Sequence, residues 1–217
     1  MRQRGIFISF EGSEGCGKST QIGQLTMTLK ARNIPFVMAR EPGGTDAGEK
    51  IRHLLKHTDV PLCPHTELFL FAASRAQLVR EVFKPALLNG TCVVCDRYFD
   101  STFVYQGLAR SLPSDLVECI NQHAIDNCVP DITFLLDMDA NLALMRATER
   151  RTAQEPSDRM EGEPVDFYEK VRAGYLKRAQ QEPARFVVLD AKKPVDILAQ
   201  TILKTLELRW PFQLKTP

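Results

Sequence analysis

The stretch FEGSEGCGKST, residues 10–20, places three glycines and one lysine directly after an apolar run. Gly12, Gly17, Lys18 and Ser19 match the spacing G-x-x-x-x-G-K-[ST] of a phosphate-binding loop. Small residues allow successive backbone N–H groups to point into one concavity, and the lysine adds a full positive charge. The stretch therefore predicts a loop that wraps the phosphates of a nucleotide with its own backbone.

The segments on either side of the loop supply the context that this motif requires. The apolar run GIFISFE, residues 5–11, precedes the loop and predicts a buried strand. After the loop, Ile22, Leu25 and Leu29 recur at helical spacing. A strand, a glycine-rich loop and a helix in this order favour nucleoside triphosphate binding, with the lysine on the outer phosphates and the serine hydroxyl on magnesium.

Short apolar runs alternate with longer segments of helical periodicity in the rest of the chain. This alternation is typical of a parallel sheet covered by helices on both faces. The predicted strands are GIFISFE (5–11), IPFVMAR (34–40), TCVVCD (91–96), DITFLLDM (131–138) and RFVVLD (185–190). Helices are predicted at about 18–32, 45–57, 65–89, 114–127, 139–152, 164–182 and 194–208. The fold class is therefore α/β, with a five-stranded, doubly wound parallel sheet.

Composition sets limits on the class of protein. The chain has 217 residues, of which 44% are hydrophobic and 25% charged, and a formal net charge of +1. We expect one domain over residues 1–217, with no nucleic-acid partner and no membrane partner, because a broad basic surface is not indicated. The start of the chain does not read as a secretion signal, so we expect a cytoplasmic protein whose six cysteines are reduced, buried thiols.

Two pairs of residues outside the loop have the position and spacing of an acceptor site. Asp96 and Arg97 follow a predicted strand, where an aspartate can position magnesium and an arginine can bind a second phosphate. The alternative is a capping aspartate beside a surface arginine. Phe71 and Arg75 share one face of a predicted helix, so they could stack on a base and donate to its carbonyl. Taken alone, the second pair is a weak signal, because an aromatic on a helix is usually a core residue and an arginine four positions later is usually its solvated neighbour.

Five segments together resemble the thymidylate kinase family in order and spacing, and the likeness covers nearly the whole chain. They are FEGSEGCGKST, AREPGGT, LFLFAASRAQ, DRYFDSTFVYQG and DRMEGEPVDFYEKVRAGY. The resemblance implies a P-loop NTPase fold with a lid insertion, a homodimer, and Mg²⁺-dependent transfer from ATP to dTMP, giving dTDP for dTTP synthesis. It divides the chain into the phosphate loop 12–19, an acceptor-nucleotide region at about 41–110 and a lid at about 148–164.

The resemblance also implies roles for individual residues. Phe71 would stack on thymine and Arg75 would donate to its O4, whereas Arg97 would bind the acceptor phosphate. The tyrosine at 105 would disfavour a ribose 2′-hydroxyl. Ser101 and Thr102 occupy the positions at which the family contacts the edge of the pyrimidine base. Some members have an asparagine where this chain has Thr102. The acceptor-binding set is Glu41, Phe71, Arg75, Arg97, Ser101, Thr102, Tyr105 and Gln106.

The same resemblance implies three further sets. The ATP-binding residues are Gly12, Ser13, Glu14, Gly15, Cys16, Gly17, Lys18, Ser19 and Thr20. The candidate magnesium ligands are Glu14, Ser19 and Asp96, and the candidate catalytic residues are Lys18, Arg97, Arg150 and Arg151. Members of the family differ in whether their catalytic arginine lies in the phosphate loop or in the lid.

The position of the arginines favours the lid type, found in many bacteria. The phosphate loop contains no arginine, whereas the predicted lid carries Arg150, Arg151 and Arg159. We expect Arg150 and Arg151 to act jointly on the transferring phosphoryl group, with Arg146 as the alternative. Arg159 and Glu161 would help order the closed lid.

Other P-loop proteins remain as alternatives. The nearest is a kinase for another nucleotide, because base preference depends on the family likeness. A GTPase switch is a rival of a different class, but the guanine-reading sequence N-K-x-D does not occur in the chain. A nucleic-acid-associated ATPase is disfavoured by the near-neutral charge.

Overall fold

Five parallel strands form the sheet that the apolar runs predicted. The structure is a computed structural model that describes residues 4–57, 60–150 and 163–211. The strands are Phe7–Glu11 (β1), Phe36–Arg40 (β2), Cys92–Asp96 (β3), Ile132–Asp137 (β4) and Phe186–Asp190 (β5). Their spatial order is β2-β3-β1-β4-β5, and every neighbouring pair is parallel. Each strand lies within its predicted run, so the five-strand prediction is confirmed.

Helices connect the strands and cover the sheet. They are Lys18–Ala31 (α1), Asp46–His57 (α2), Pro64–Leu78 (α3), Lys84–Leu88 (α4), Phe99–Thr102 (α5), Ser114–Ile125 (α6), Ala140–Arg150 (α7), Val165–Gln181 (α8) and Val195–Arg209 (α9). Two π-helical segments, Val79–Phe83 and Phe103–Ala109, follow α3 and α5. Within the described ranges, no helix has both the length and the apolar character needed to cross a membrane.

Two helical segments differ from the sequence prediction. The helix predicted over 65–89 is one helical path, but it changes to π geometry before Pro85, which has no N–H to continue the regular ladder. The segment 99–109 was not predicted as helical, because its aromatic and β-branched residues have weak helix propensity. Burial of Val104, Tyr105 and Gln106 against neighbouring elements overrides that local preference.

The central strand β1 packs on both faces, and its alternation decides which side chains reach the site. Ile8 and Phe10 join the core formed with α1 and α9. Phe7 points to the opposite face and packs against aromatic rings there. Ser9 and Glu11 alternate onto the same side as Phe7 and are fully buried. The polar side chains of Ser9 and Glu11 therefore lie between the sheet and the helices α5 and α8.

An internal polar cluster fixes α5 against the sheet. Arg185 Nη1 donates to Asp100 Oδ2 at 2.6 Å and Arg185 Nη2 donates to Asp100 Oδ1 at 2.8 Å. Arg185 also donates to Thr133 Oγ1 at 2.7 Å, and the Thr133 hydroxyl lies 2.7 Å from Ser9 Oγ. Arg178 adds a second guanidinium to the same aspartate. The buried Asp100 is thus fully paired, which holds the short helix in one orientation.

The cysteines are free thiols, but only four of the six are buried. Cys92 and Cys95 lie inside β3, as expected for strand-interior thiols, and burial raises the pKa of Cys95 well above its usual range. Cys63 is the N-cap residue before α3, Cys119 lies on α6, and both are exposed. The expectation that every cysteine is buried was therefore wrong for these two, because apolar neighbours in sequence do not determine whether a residue faces the core.

Candidate active site

The phosphate loop joins β1 to α1 and closes against two other parts of the fold. Gly12 has φ +136°, and a Cβ there would lie 2.6 Å from the Leu136 carbonyl oxygen. Gly15 has φ +78°, and a Cβ there would lie 1.9 Å from the Ala143 carbonyl oxygen of α7. Both positions need glycine for the backbone conformation and for the close approach. The loop is therefore shaped jointly by β4 and α7.

The lysine of the motif lies across this loop. Lys18 is 6% exposed, and its Nζ donates to the carbonyl oxygens of Gly12 at 3.0 Å and Ser13 at 2.9 Å. These are the first residues of the loop, so the ammonium group lies at the concavity that the backbone forms. The arrangement places one full positive charge where an anionic ligand would enter.

Two side chains with oxygen atoms that could bind a metal ion, Ser19 and Asp96, meet at the edge between β1 and β3. The adjacent strands are in parallel register with Phe10 opposite Asp96, so the start of α1 lies close to the end of β3. Ser19 Oγ donates to Asp96 Oδ2 at 3.1 Å. A hydroxyl and a carboxylate are the hard oxygen ligands that Mg²⁺ prefers. Two of the three predicted magnesium ligands thus lie together at the entrance of the loop, whereas the third, Glu14, is paired with Arg97.

Arg97 connects the phosphate loop to the helices beyond β3. Its Nη2 donates to Glu14 Oε1 at 2.7 Å, and its Nη1 donates to Tyr175 Oη at 3.2 Å and Ser101 Oγ at 3.4 Å. The guanidinium carbon lies 5.2 Å from the centre of the Tyr105 ring. The positive charge of Arg97 holds the pKa of the Glu14 carboxyl well below its usual range. Four of the predicted site residues therefore converge on one small region.

Arg75 forms a second group of predicted residues. It is 1% exposed, and its Nε donates to Glu41 Oε2 at 2.7 Å while Nη1 donates to Asn121 Oδ1 at 2.7 Å. Its Nη2 donates to Thr102 Oγ1 at 2.9 Å. Burial raises the pKa of Glu41 to about 7, with the Arg75 charge opposing that rise. Phe71, one helical turn before Arg75 on α3, is half-buried.

The π-helical segment after α5 brings Tyr105 close to Arg97 and Gln106 close to Glu67 of α3. Both are buried, and Gln106 Nε2 donates to Glu67 Oε1 at 2.7 Å. Among the residues that the structure describes, the Tyr105 hydroxyl has no hydrogen-bond partner. Burial raises the pKa of Tyr105, so the phenol stays protonated. A buried hydroxyl without a protein partner is available to a ligand.

Glu11 is a site residue that the sequence prediction did not include. It is 0% exposed, and its Oε1 accepts the Tyr98 backbone N–H at 2.8 Å. Its Oε2 lies 2.7 Å from Ser101 Oγ and 2.8 Å from Tyr175 Oη. An acidic residue at the end of a continuously apolar strand was a signal for it, because strand carboxyl ends face the ligand crevice.

Most of the predicted lid lies outside the described residues. Arg151, Arg159 and Glu161 are not described, and Arg150 is the last residue of α7, with a side chain that is likewise not described. The alternative residue Arg146 is described, and its Nη1 donates to the Ala191 carbonyl oxygen at 3.4 Å. The joint role of Arg150 and Arg151 therefore stays a prediction.

Comparison with known proteins identifies the relatives of this chain. A family model described as thymidylate kinase matches residues 10–202. The thymidylate kinase of Desulfosudis oleivorans is 47% identical over 206 residues, which cover 93% of this chain and 96% of the relative. The thymidylate kinase of Dehalococcoides mccartyi strain ATCC BAA-2266 is 49% identical over 187 residues, covering 86% of this chain and 88% of that one.

The fold has a solved counterpart. A crystal structure of thymidylate kinase from Ehrlichia chaffeensis superposes with a TM-score of 0.75 and 32% sequence identity, covering 94% of this chain and 99% of that one. The shared fold is a P-loop NTPase fold, as the family resemblance implied, and its five parallel strands are those that the apolar runs predicted. With the family model matching most of the sequence, this chain belongs to the thymidylate kinase family.

Proposed function

We propose that this chain transfers the γ-phosphoryl group of ATP to dTMP, giving ADP and dTDP for dTTP synthesis. The observation that carries the proposal is the meeting of two cationic groups at one edge of the sheet. Lys18 lies at the loop after β1, and Arg97 follows β3 and contacts the same loop through Glu14. Two anions must be brought together in a phosphoryl transfer, and this pair can bind one each.

The donor half of the site is the phosphate loop. Residues 12–20 would bind the phosphates of ATP through backbone N–H groups and through the N-terminus of α1. Lys18 is already positioned over the loop and would exchange its contacts with loop carbonyls for contacts with phosphate oxygens. Loss of this lysine is therefore expected to weaken both ATP binding and transfer.

The residues at the loop entrance fit a magnesium ion bound together with ATP. Ser19 and Asp96 supply a hydroxyl and a carboxylate within hydrogen-bonding distance of each other, and Glu14 lies in the same loop. In the described parts of the chain, no group of three or more His, Cys, Asp or Glu could hold a metal alone. That fits an ion bound by few protein ligands plus nucleotide phosphates. When bound, Mg²⁺ supplies charge neutralisation for those phosphates.

The acceptor half of the site would bind dTMP along α3, α5 and the following π-helical segment. Arg97 would bind the dTMP phosphate. Arg75, held by Glu41, Asn121 and Thr102, keeps an Nη1 N–H with which to reach thymine O4 while Phe71 stacks on the ring. The remaining predicted contacts would come from Ser101, Tyr105 and Gln106, and the Tyr105 hydroxyl, which has no hydrogen-bond partner in the described parts of the chain, would meet the sugar.

Transfer would depend on positive charge rather than on a strong general base. A phosphomonoester has a second pKa of about 6, so the attacking oxygen of dTMP is already ionised near neutral pH. Lys18 and Arg97 would position the two phosphates, and the lid arginines Arg150 and Arg151 would stabilise charge on the transferring group. Closure of the lid would exclude water, which would otherwise accept the phosphoryl group.

The proposal also includes one kinase domain, a homodimer and a cytoplasmic location. The packed helices α2 and α3 each expose a large apolar side chain, Leu54 and Phe69, which supports an interface between two copies. The six free thiols support a reducing compartment.

Initial rates with a panel of monophosphates test the proposed substrate. The protein is mixed with ATP, Mg²⁺ and dTMP, dUMP, dCMP, dGMP, UMP, CMP or AMP, and ADP and the diphosphate product are measured. We expect dTMP to be phosphorylated selectively. Preference for another monophosphate would contradict the base assignment, and nucleotide binding without any transfer would favour a P-loop switch protein.

A further inference from the structure

We infer that Glu11 is a positioning residue for acceptor binding, acting through the hydroxyls of Ser101 and Tyr175 to hold the Arg97 guanidinium in place. This inference rests on the proposed function and deepens it, since Arg97 is the residue assigned to the dTMP phosphate. Among the described residues, Glu11 and Arg97 share the hydroxyl partners Ser101 and Tyr175 and form no hydrogen bond with each other, so the effect of Glu11 passes through those two groups.

Three oxygen atoms form a closed triangle beneath Arg97. Glu11 Oε2 lies 2.7 Å from Ser101 Oγ and 2.8 Å from Tyr175 Oη, and those two hydroxyl oxygens lie 2.8 Å apart. Each distance is within the range of an O–H···O hydrogen bond. The hydroxyls of Ser101 and Tyr175 can both donate to Glu11 Oε2. A proton on Glu11 would supply a third hydrogen, so that all three contacts could be hydrogen bonds at once.

The other oxygen of Glu11 fits the same protonation state. Glu11 Oε1 accepts the Tyr98 backbone N–H at 2.8 Å, as the carbonyl oxygen of a neutral carboxyl group does. Burial raises the pKa of Glu11 to about 7, Asp100 acts in the same direction, and Arg97 opposes it. Tyr175 faces the carboxyl from α8, and burial raises its pKa as well. With a pKa near neutrality, Glu11 offsets the charge of Arg97 less than an ordinary carboxylate would.

The backbone of Arg97 is fixed by the same strand. Arg97 has φ +67°, which is unusual for a residue with a long side chain. Its N–H donates to the Phe10 carbonyl oxygen at 2.9 Å, and the next N–H, of Tyr98, donates to Glu11. Glu11 thus contacts the chain on the carboxyl side of Arg97 and the hydroxyls around its guanidinium. The two hydroxyls add no charge of their own, so the exposed Glu14 carboxylate is the partner that a phosphate would replace.

Kinetics of Glu11 variants with dTMP, ATP and Mg²⁺ test the inference. In Glu11→Ala we expect kcat/KM for dTMP to fall by about 10²-fold, as for a misplaced binding group, with KM for ATP unchanged. Glu11→Gln should restore kcat/KM for dTMP to within about threefold, because an amide can accept from Tyr98 and donate to a hydroxyl. Ser9→Ala, on the same face of β1 but outside the triangle, is the matched control and should match wild type.

Each outcome is informative about Glu11 separately from the reaction itself. Equal loss of ATP and dTMP affinity in Glu11→Ala would indicate a general role in shaping the adjoining phosphate loop and would overturn the inference. A Glu11→Gln enzyme as impaired as Glu11→Ala would also overturn it. If Glu11→Ala does not fold, Tyr175→Phe must raise KM for dTMP alone, and an unchanged KM would contradict the inference. Failure of the proposed function would show instead as wild-type protein that does not phosphorylate dTMP.

Discussion

Arg75 and Arg97 are both enclosed by protein, but their partners differ. Arg75 forms an ion pair with Glu41 at 2.6 Å, and both side chains are almost completely buried. Arg97 contacts hydroxyl groups and an aromatic ring, and its carboxylate partner Glu14 is 43% exposed. Removing one partner of a buried ion pair is strongly destabilising because the other charge stays buried without compensation. Arg97, in contrast, can exchange its exposed partner for a phosphate. The charge of Arg75 is neutralised inside the fold, whereas the charge of Arg97 is available to a phosphate.

Removing Arg75 is therefore expected to destabilise the protein. In Arg75→Met the free energy of unfolding should fall by about 3–5 kcal/mol, because Glu41 is left buried without its partner. The double variant Arg75→Met/Glu41→Gln should recover a large part of that loss. Urea unfolding of the two single variants and the double variant measures this directly. Strictly additive losses would show that the pair is not energetically coupled.

The raised pKa of Glu11 gives a pH dependence of stability with a definite sign. A carboxyl whose pKa rises from 4.5 in the unfolded chain to about 7 in the folded protein binds a proton more tightly when folded. Its contribution to stability is complete below pH 4.5 and is lost as the pH rises through 7. Relative to Glu11→Gln, wild type should lose up to about 3 kcal/mol between pH 4.5 and 8. Denaturant unfolding at several pH values measures that difference, and parallel curves for the two proteins would contradict the prediction.

At the scale of secondary-structure elements, the backbone of the phosphate loop packs directly against the backbone of α7. The Cα of Gly15 approaches the α7 backbone so closely that a Cβ would lie 1.9 Å from the Ala143 carbonyl oxygen and 3.1 Å from the Ala147 nitrogen. The predicted lid at about 148–164 begins in the last turn of this helix. Movement of the lid and the shape of the loop are therefore expected to be linked.

A pair of glycine substitutions tests that contact. Gly15→Ala should raise KM for ATP at least about tenfold, because either the loop or α7 must shift and misplace the phosphates. Gly23→Ala is the matched control, since a Cβ at this α1 position meets nothing within 4 Å. It should stabilise the protein by about 0.5–1 kcal/mol and leave KM for ATP unchanged. Similar kinetics for the two variants would remove the argument for a constrained loop.

The predicted lid arginines have a distinct kinetic signature. Loss of a transition-state arginine lowers turnover by about 10³–10⁵-fold in phosphoryl transfer. We therefore expect Arg150→Ala or Arg151→Ala to lower kcat strongly while KM for dTMP and ATP changes little. Single-turnover rates with saturating substrates measure the effect. Unchanged turnover in both variants would contradict the assignment of these residues.

How far the sequence predicts this protein depends on how local each feature is. The five strands were predictable because strands buried on both faces are continuously apolar. The helical segment 99–109 was not, because its burial against α8 overrides weak local propensity. The motif residues Lys18 and Arg97 could be located from sequence spacing. The contact of Glu11 with Tyr175 joins positions 164 residues apart, so it depends on sheet order and helix packing that no local pattern encodes.

At the scale of the whole molecule, the strand order brings distant parts of the chain to one edge. β1 lies in the centre between β3 and β4, so the loop after β1, Arg97 after β3 and Tyr175 on α8 meet there.

The proposed homodimer would leave this edge open and cover the apolar side chains of α2 and α3. Light scattering should give twice the 24.5 kDa chain mass. A Leu54→Glu/Phe69→Glu variant should give the monomer mass, and a wild-type monomer would contradict the proposed assembly.

A ³¹P NMR time course of wild-type protein with ATP, Mg²⁺ and dTMP tests directly whether this chain is a dTMP kinase. This measurement separates transfer to the nucleotide from transfer to water, because each product has its own phosphorus signals. We predict that the dTMP signal declines as dTDP and ADP appear in equal amounts, with no comparable rise of inorganic phosphate. Lys18→Ala should abolish that conversion. Release of inorganic phosphate with dTMP unchanged would contradict the claim that this chain is a dTMP kinase.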